Sequence, residues 1–202
     1  MKIAVLGATG MAGSRIVAEA LARGHQVTGI ARKAEGLKDH PGLAKVAADV
    51  TDPGFAQHLR GHDAVVSALH FQTLSEPALA AILNAAGVKR VLIVGGAGSL
   101  EVAPGVMLID TPEFPEAWKP FARPGVEFLA ALHGENGLEW TFISPSAFFE
   151  PGSRTGVFRV GGDQLLVGAD GRSAISAEDY AVALLDEIEK PAHVRARMTV
   201  GY

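Results

Sequence analysis

Short apolar runs alternate with longer amphipathic ones along the first two-thirds of the chain. Ile3-Ala4-Val5-Leu6 is apolar at every position, as a strand covered on both faces must be. Residues 11–23 repeat at helical spacing through Ala12, Ile16 and Ala20, and Gly24 supplies a stop. Gln26–Ile30, Leu43–Val46 and Ala64–Val66 follow as strands, with a short helical stretch near 53–60. Ser75-Glu76-Pro77 opens a helix through Leu79, Ile82, Leu83 and Ala86 that Gly87 closes. Arg90–Val94 is the fifth and most hydrophobic strand. This order predicts an α/β fold of Rossmann-like type, a doubly wound parallel sheet with helices on both faces.

Beyond residue 100 the pattern loosens. Five prolines in 101–125 (Pro104, Pro112, Pro115, Pro120 and Pro124) predict an irregular covering segment. A helix through Val126, Phe128, Leu129 and Leu132 follows, then a sixth strand at Trp140–Ile143. Val157–Val160, Gly161-Gly162 and Asp163–Val167 have the form of a β-hairpin on a two-residue turn. Ser176-Ala177-Glu178-Asp179 resembles a capping box and starts a helix through Ala181, Leu184, Leu185 and Ile188. Met198–Val200 is a closing strand. With 202 residues and no internal repeat, the expectation is one domain over 1–202, in which 151–202 completes the substrate side.

Composition narrows the function. Hydrophobic residues make up 48% of the chain, enough for a buried core. Basic residues number 18 against 22 acidic ones, so no cationic excess exists to neutralise nucleic-acid phosphates. The absence of cysteine excludes disulfides, thiolate nucleophiles and thiolate metal sites. No apolar run approaches the ~18 residues of a membrane span. The apolar start breaks at Gly7, short of a signal sequence, so the chain is expected in the cytoplasm with no membrane partner. His58 and His62 have a ligand-like spacing, but Gly61 lies between them and no third ligand is evident, so no metal is expected.

The strongest chemical signal is Gly7-Ala8-Thr9-Gly10-Met11-Ala12-Gly13, between the first strand and the first helix. Glycines there permit a tight turn and let backbone N–H groups approach a pyrophosphate, whose charge the helix N-terminus favours. The residues expected at the cofactor in this loop are Gly7, Thr9, Gly10, Met11, Ala12 and Gly13. An acid at the end of the second strand would accept from the ribose hydroxyls of NAD(H). This chain has Arg32 and Lys33 instead, and a guanidinium fork matches a 2′-phosphate, so NADP(H) is expected over NAD(H).

These residues together resemble the atypical short-chain dehydrogenase/reductases, within them the NAD(P)H-flavin reductases and biliverdin-IXβ-reductase-like proteins. The resemblance covers essentially the whole chain. It rests on the glycine loop, Ala31-Arg32, Ala48-Asp49-Val50-Thr51-Asp52, Val94–Ser99, Ser144-Pro145-Ser146, and Ile175-Ser176 through Asp179-Tyr180-Ala181. It implies that Asp49 and Val50 lie against adenine, and that Ala68, Leu69 and His70 lie near the adenosine and nicotinamide ribose. It further implies that Gly95 and Gly96 flank the nicotinamide and Pro145 contacts its carboxamide side.

The proton-donating Tyr-x-x-x-Lys pair of carbonyl-reducing members is missing: Leu184 stands four residues after Tyr180, and Tyr202 is the other tyrosine. That disfavours alcohol dehydrogenases, and epimerases or dehydratases as well. Hydride transfer to a flat acceptor needs alignment more than a fixed acid. The expected partner is therefore a small planar acceptor, with FMN or FAD as substrate rather than bound cofactor, and quinones or tetrapyrroles as other acceptors. Ser99, Ser146 and His70 are the candidate catalytic side chains, and Trp118, Phe121, Phe148 and Phe149 the candidate walls. The alternative is a non-catalytic NADP(H)-binding redox sensor. The helical faces leave a homodimer open.

Overall fold

The computed structural model describes residues 1–202. In chain order the elements are β1 (Lys2–Leu6), α1 (Met11–Ala22), β2 (Gln26–Ala31), β3 (Leu43–Ala47), β4 (Ala64–Ser67), α2 (Glu76–Ala86), β5 (Arg90–Val94), β6 (Glu101–Ala103), β7 (Val106–Met107), α3 (Lys119–Leu132), β8 (Glu139–Pro145), β9 (Phe148–Glu150), β10 (Arg159–Gly161), β11 (Ala174–Ser176), α4 (Ala177–Glu189) and β12 (Ala196–Gly201). The central sheet has eight strands in the order β10-β12-β8-β5-β4-β1-β2-β3. All neighbours run parallel except β10, which pairs antiparallel with β12. Strand order reverses between β1 and β4, the point at which such sheets open a ligand crevice at their carboxyl ends.

The all-apolar strands are explained by two cores, one on each face. Ile3, Val5 and Val66 point toward α1 and α4, joining Ile16, Tyr180 and Leu184. Ala4, Leu6 and Val65 point the other way, joining Leu83, Leu129 and Trp140 under α2 and α3. Residues 151–202 contribute β12 to the sheet and α4 to the first core. No helix is long and apolar enough to cross a membrane.

Three sequence expectations change. The hairpin at 157–167 does not form: β10 pairs with β12, and Asp163–Val167 is not a strand. A two-residue hairpin turn needs a positive φ at its first central residue, and neither Gly161 nor Gly162 has one. The capping box is half made. Ser176 Oγ accepts from Asp179 N (3.0 Å), but the Asp179 carboxylate turns to Thr155 N and Gly156 N (both 2.8 Å). Finally, the proline-rich stretch is not irregular throughout, because α3 already begins at Lys119 and contains Pro124. Pro124 has no N–H for the carbonyl of Pro120. Gln72 Nε2 donates to that carbonyl instead (3.2 Å), which ties α3 to the loop after β4.

Candidate functional site

A cleft of about 720 Å³ opens at the carboxyl ends of β1, β2, β3 and β4. Its lining includes Gly7, Thr9, Gly10, Arg32, Lys33, Asp49, Val50, Ala68, Leu69 and His70. These residues are dispersed over 64 positions of sequence (7 to 70), and the parallel strands bring them together.

The glycine loop is built by close approach. Gly7 sits at φ 74°, and a Cβ there would stand 2.5 Å from the carbonyl oxygen of Ala68, at the end of the neighbouring strand β4. Gly13 is needed for packing: its Cβ would lie 2.2 Å from Gly7 O. Gly10, the N-cap of α1, has an extended backbone (φ −71°, ψ 172°), and a Cβ there would meet only Gly7 O, at 3.2 Å. No side chain caps this helix and no acid lies in its first turn. Its orphan N–H groups and the positive end of its dipole therefore face the cleft without a competing anion. Met11 is exposed, whereas Ala12 and Gly13 are buried beneath the loop. Met11, Ala12 and Gly13 do not line the cleft, so a ligand meets this turn through the backbone of the glycine loop.

At the end of β2, Arg32 and Lys33 are exposed and lack hydrogen-bonded or ionic partners within the chain. Asp49 uses Oδ1 to accept from Thr51 N (3.0 Å) and Thr51 Oγ1 (2.7 Å), leaving Oδ2 free. Those bonds, with Arg32 nearby, hold its carboxyl below the usual range. Val50 and Phe55 form a buried apolar wall beside it. Phe55 and Thr73 also line the cleft, with no signal in the sequence to mark them; the 53–60 stretch carries only a weak helical pattern, here a 3₁₀ turn over Phe55–Leu59.

The other end lies beyond β5 and β8, outside that cleft. Gly95 N donates to Ile143 O (2.8 Å), and a Cβ on Gly95 would strike the Phe142 ring at 2.4 Å. Gly95 is thus a packing glycine between β5 and β8. A Cβ on Gly96 would meet nothing within 4 Å, so this position leaves open space. Pro145 is buried at the end of β8. His70 is exposed on the cleft. The two candidate serines both make hydrogen bonds within the fold. Ser146 donates to Val200 O (3.0 Å) and is buried. Ser99 is also buried and accepts from Arg197 Nη1 at 2.9 Å.

Neither tyrosine reaches the cleft. Tyr180 is fully buried and donates to Ile143 O (2.7 Å), and burial pushes its hydroxyl pKa up. Tyr202 donates to Asp179 Oδ2 (2.8 Å). Of the four candidate aromatics, Phe149 packs on Tyr180 at 4.7 Å between ring centroids. Trp118 (63% exposed) and Phe121 (60%) stand together at 6.3 Å at the start of α3. Phe148 is half-exposed. His62 is bonded to Leu59 O (2.9 Å) and Thr28 Oγ1 (2.8 Å), so its ring serves the fold, not a pair with His58.

Residues 7–191 match the family described as NAD(P)H-binding. The uncharacterized protein YwnB of Bacillus subtilis is 43% identical, covering 99% of this chain and 98% of its own. A Bacteroides thetaiotaomicron structure, provisionally called an epimerase, is 41% identical over all of this chain and 96% of that one, with a TM-score of 0.92. A Streptococcus pneumoniae structure, provisionally called an NADH-flavin reductase, is 36% identical over all of this chain and 99% of that one, with a TM-score of 0.89.

Proposed function

The chain belongs to the NAD(P)H-binding family, and from that premise we propose that it is an NADP(H)-dependent reductase that passes hydride to a planar acceptor, a free flavin first among them. The observation that carries the cofactor preference is the unpartnered Arg32-Lys33 pair at the end of β2, where an NAD(H)-selective site would hold an acid.

The residues present suit a dinucleotide along the whole crevice. The uncapped N-terminus of α1 takes the pyrophosphate through backbone N–H groups. Arg32 and Lys33 take the 2′-phosphate, while Val50, Phe55 and the free oxygen of Asp49 take the adenine. The open space over Gly96 receives the nicotinamide end. When bound, the reduced nicotinamide supplies the hydride. The chain's own contribution is to orient the two rings and to keep the loop after β5 free of side chains that would part them. Trp118, Phe121 and Phe148 are exposed flat apolar side chains and the candidate walls for the acceptor. No tyrosine is available to protonate a carbonyl, which supports an acceptor that takes its proton from water and argues against epimerase chemistry, whatever the provisional name of one relative.

The test is titration with NADPH and NADH, followed by absorbance of the reduced nicotinamide after adding FMN. Tighter NADPH binding with flavin-dependent oxidation well above the protein-free rate supports the reading. Tight NADPH binding with no oxidation by flavins, quinones or tetrapyrroles replaces it with a redox sensor.

A further inference from the structure

Most arginines in this protein are held by carboxylates or carbonyls. Arg23 bridges to Glu19 and Asp186, Arg90 to Glu187, Arg154 to Glu19 and Arg197 to Asp163. Arg32, Arg60 and Arg172 have guanidinium groups that meet no such partner. Arg32 lies in the cofactor cleft at the carboxyl ends of the strands, and Arg60 lies at their amino ends, beside Lys2 and Gln26. Arg172 stands over the ring of Phe148, 5.2 Å from its centroid.

The position of Arg172 is fixed although its head is free. Its backbone N–H donates to Asp170 Oδ1 (3.0 Å) and its carbonyl accepts from Gly168 N (2.7 Å). The next residue, Ser173, bolts this turn to the end of β8: Ser173 O accepts from Phe148 N (2.8 Å) and Ser173 Oγ from Ala147 N (3.1 Å). Phe149 turns inward onto Tyr180, so its neighbour Phe148 turns outward and stays 50% exposed. The result is an exposed aromatic ring with a cation over it, at the start of β9, three residues past Pro145. A guanidinium so placed keeps its fork of N–H donors for an oxyanion.

We propose that Arg172, supported by Phe148, binds an anionic group carried by the planar acceptor, so that phosphate- or carboxylate-bearing acceptors are selected over neutral ones with the same ring. This rests on the reductase reading and names its substrate class.

The test compares acceptors that differ only in the anion: FMN against riboflavin for phosphate, and biliverdin against its dimethyl ester for carboxylate. Binding is measured by fluorescence or absorbance in the presence of NADP⁺, and turnover by NADPH oxidation. In the wild type, one anionic acceptor is expected to bind about ten-fold tighter than its neutral twin. Arg172→Gln is expected to remove that difference, leave the neutral twin unchanged and leave NADPH affinity unchanged, since Arg172 lies outside the cofactor cleft. The pair that shows the difference identifies the anion. Equal binding of both twins in both pairs, no binding of either anionic acceptor, or equal loss for both twins in Arg172→Gln, overturns the proposal. Arg172-dependent binding without NADPH oxidation overturns the reductase reading and leaves the anion site standing. Oxidation without any preference does the reverse.

Discussion

A Cβ on Gly13 would lie 2.2 Å from the carbonyl oxygen of Gly7 and 2.9 Å from its carbonyl carbon. The first helix and the first strand therefore meet backbone to backbone, and the same contact sets the height of the α1 N-terminus above the cleft. Backbone atoms cannot swing aside as a side chain can. Gly13→Ala is expected to lower stability by about 1–3 kcal/mol, the usual cost of overpacking. It should also weaken NADPH binding, because the loop must move. Thermal unfolding and a cofactor titration check both effects. A variant with wild-type melting and wild-type affinity would show that α1 is free to shift.

Arg32 makes no hydrogen bond or close ion pair within the chain, only a longer-range attraction to Asp49, so its removal should leave the fold nearly untouched and act mainly on the cofactor. Arg32→Ala is expected to weaken NADPH binding about ten- to hundred-fold, the scale of a lost charge-assisted hydrogen bond, with little change for NADH. Calorimetric titration with both nucleotides measures the difference. Equal losses would remove the argument for a 2′-phosphate site.

Glu19 links α1 to the 151–158 segment. Arg154 donates to both of its carboxylate oxygens (2.8 Å each), and Arg23 donates to Oε1 at 2.8 Å. The Arg154 hydrogen bond is the main cause that lowers its pKa from 4.5 to about 2, against burial, with Arg23 adding to the shift. A depressed carboxyl pKa stabilises the native state fully above the unfolded value, and that contribution fades as pH falls from about 4.5 toward 2. Melting temperatures of the wild type should drop across this window. Glu19→Gln should be less stable at pH 7 and lose less on acidification. Parallel curves for the two proteins would show that Glu19 is not the titrating group.

Tyr180 separates structural from catalytic roles. Its hydroxyl donates to Ile143 O deep in the first core. Tyr180→Phe is expected to cost about 1 kcal/mol, one neutral hydrogen bond, and to leave the rate of NADPH oxidation unchanged. A large fall in kcat with unaltered melting would place this tyrosine in the chemistry.

Local pattern sufficed for the class of fold and for the strand–helix turn after β1. Runs such as Ile3–Leu6 and Arg90–Val94 are apolar at every position, which only a strand covered on both faces tolerates, and glycines at 7, 10 and 13 mark a strand–helix turn of close approach. Arg32 and Lys33 were legible for a similar reason: the end of β2 is a fixed place in this topology, and charge can be read there without coordinates. The tertiary structure decided what depends on partners distant in the chain. Ser99 and Ser146 look alike as loop hydroxyls, but Arg197 and Val200, close to a hundred and over fifty residues away, take them up. Gly161-Gly162 fails as a hairpin turn because β12 offers β10 an open edge and the glycines lack the required φ. Pro124 sits inside a helix, and Gln72 takes up the carbonyl the proline leaves unpaired. Each outcome was set by competition for a hydrogen bond between segments far apart in sequence, and local pattern carries no record of the winner.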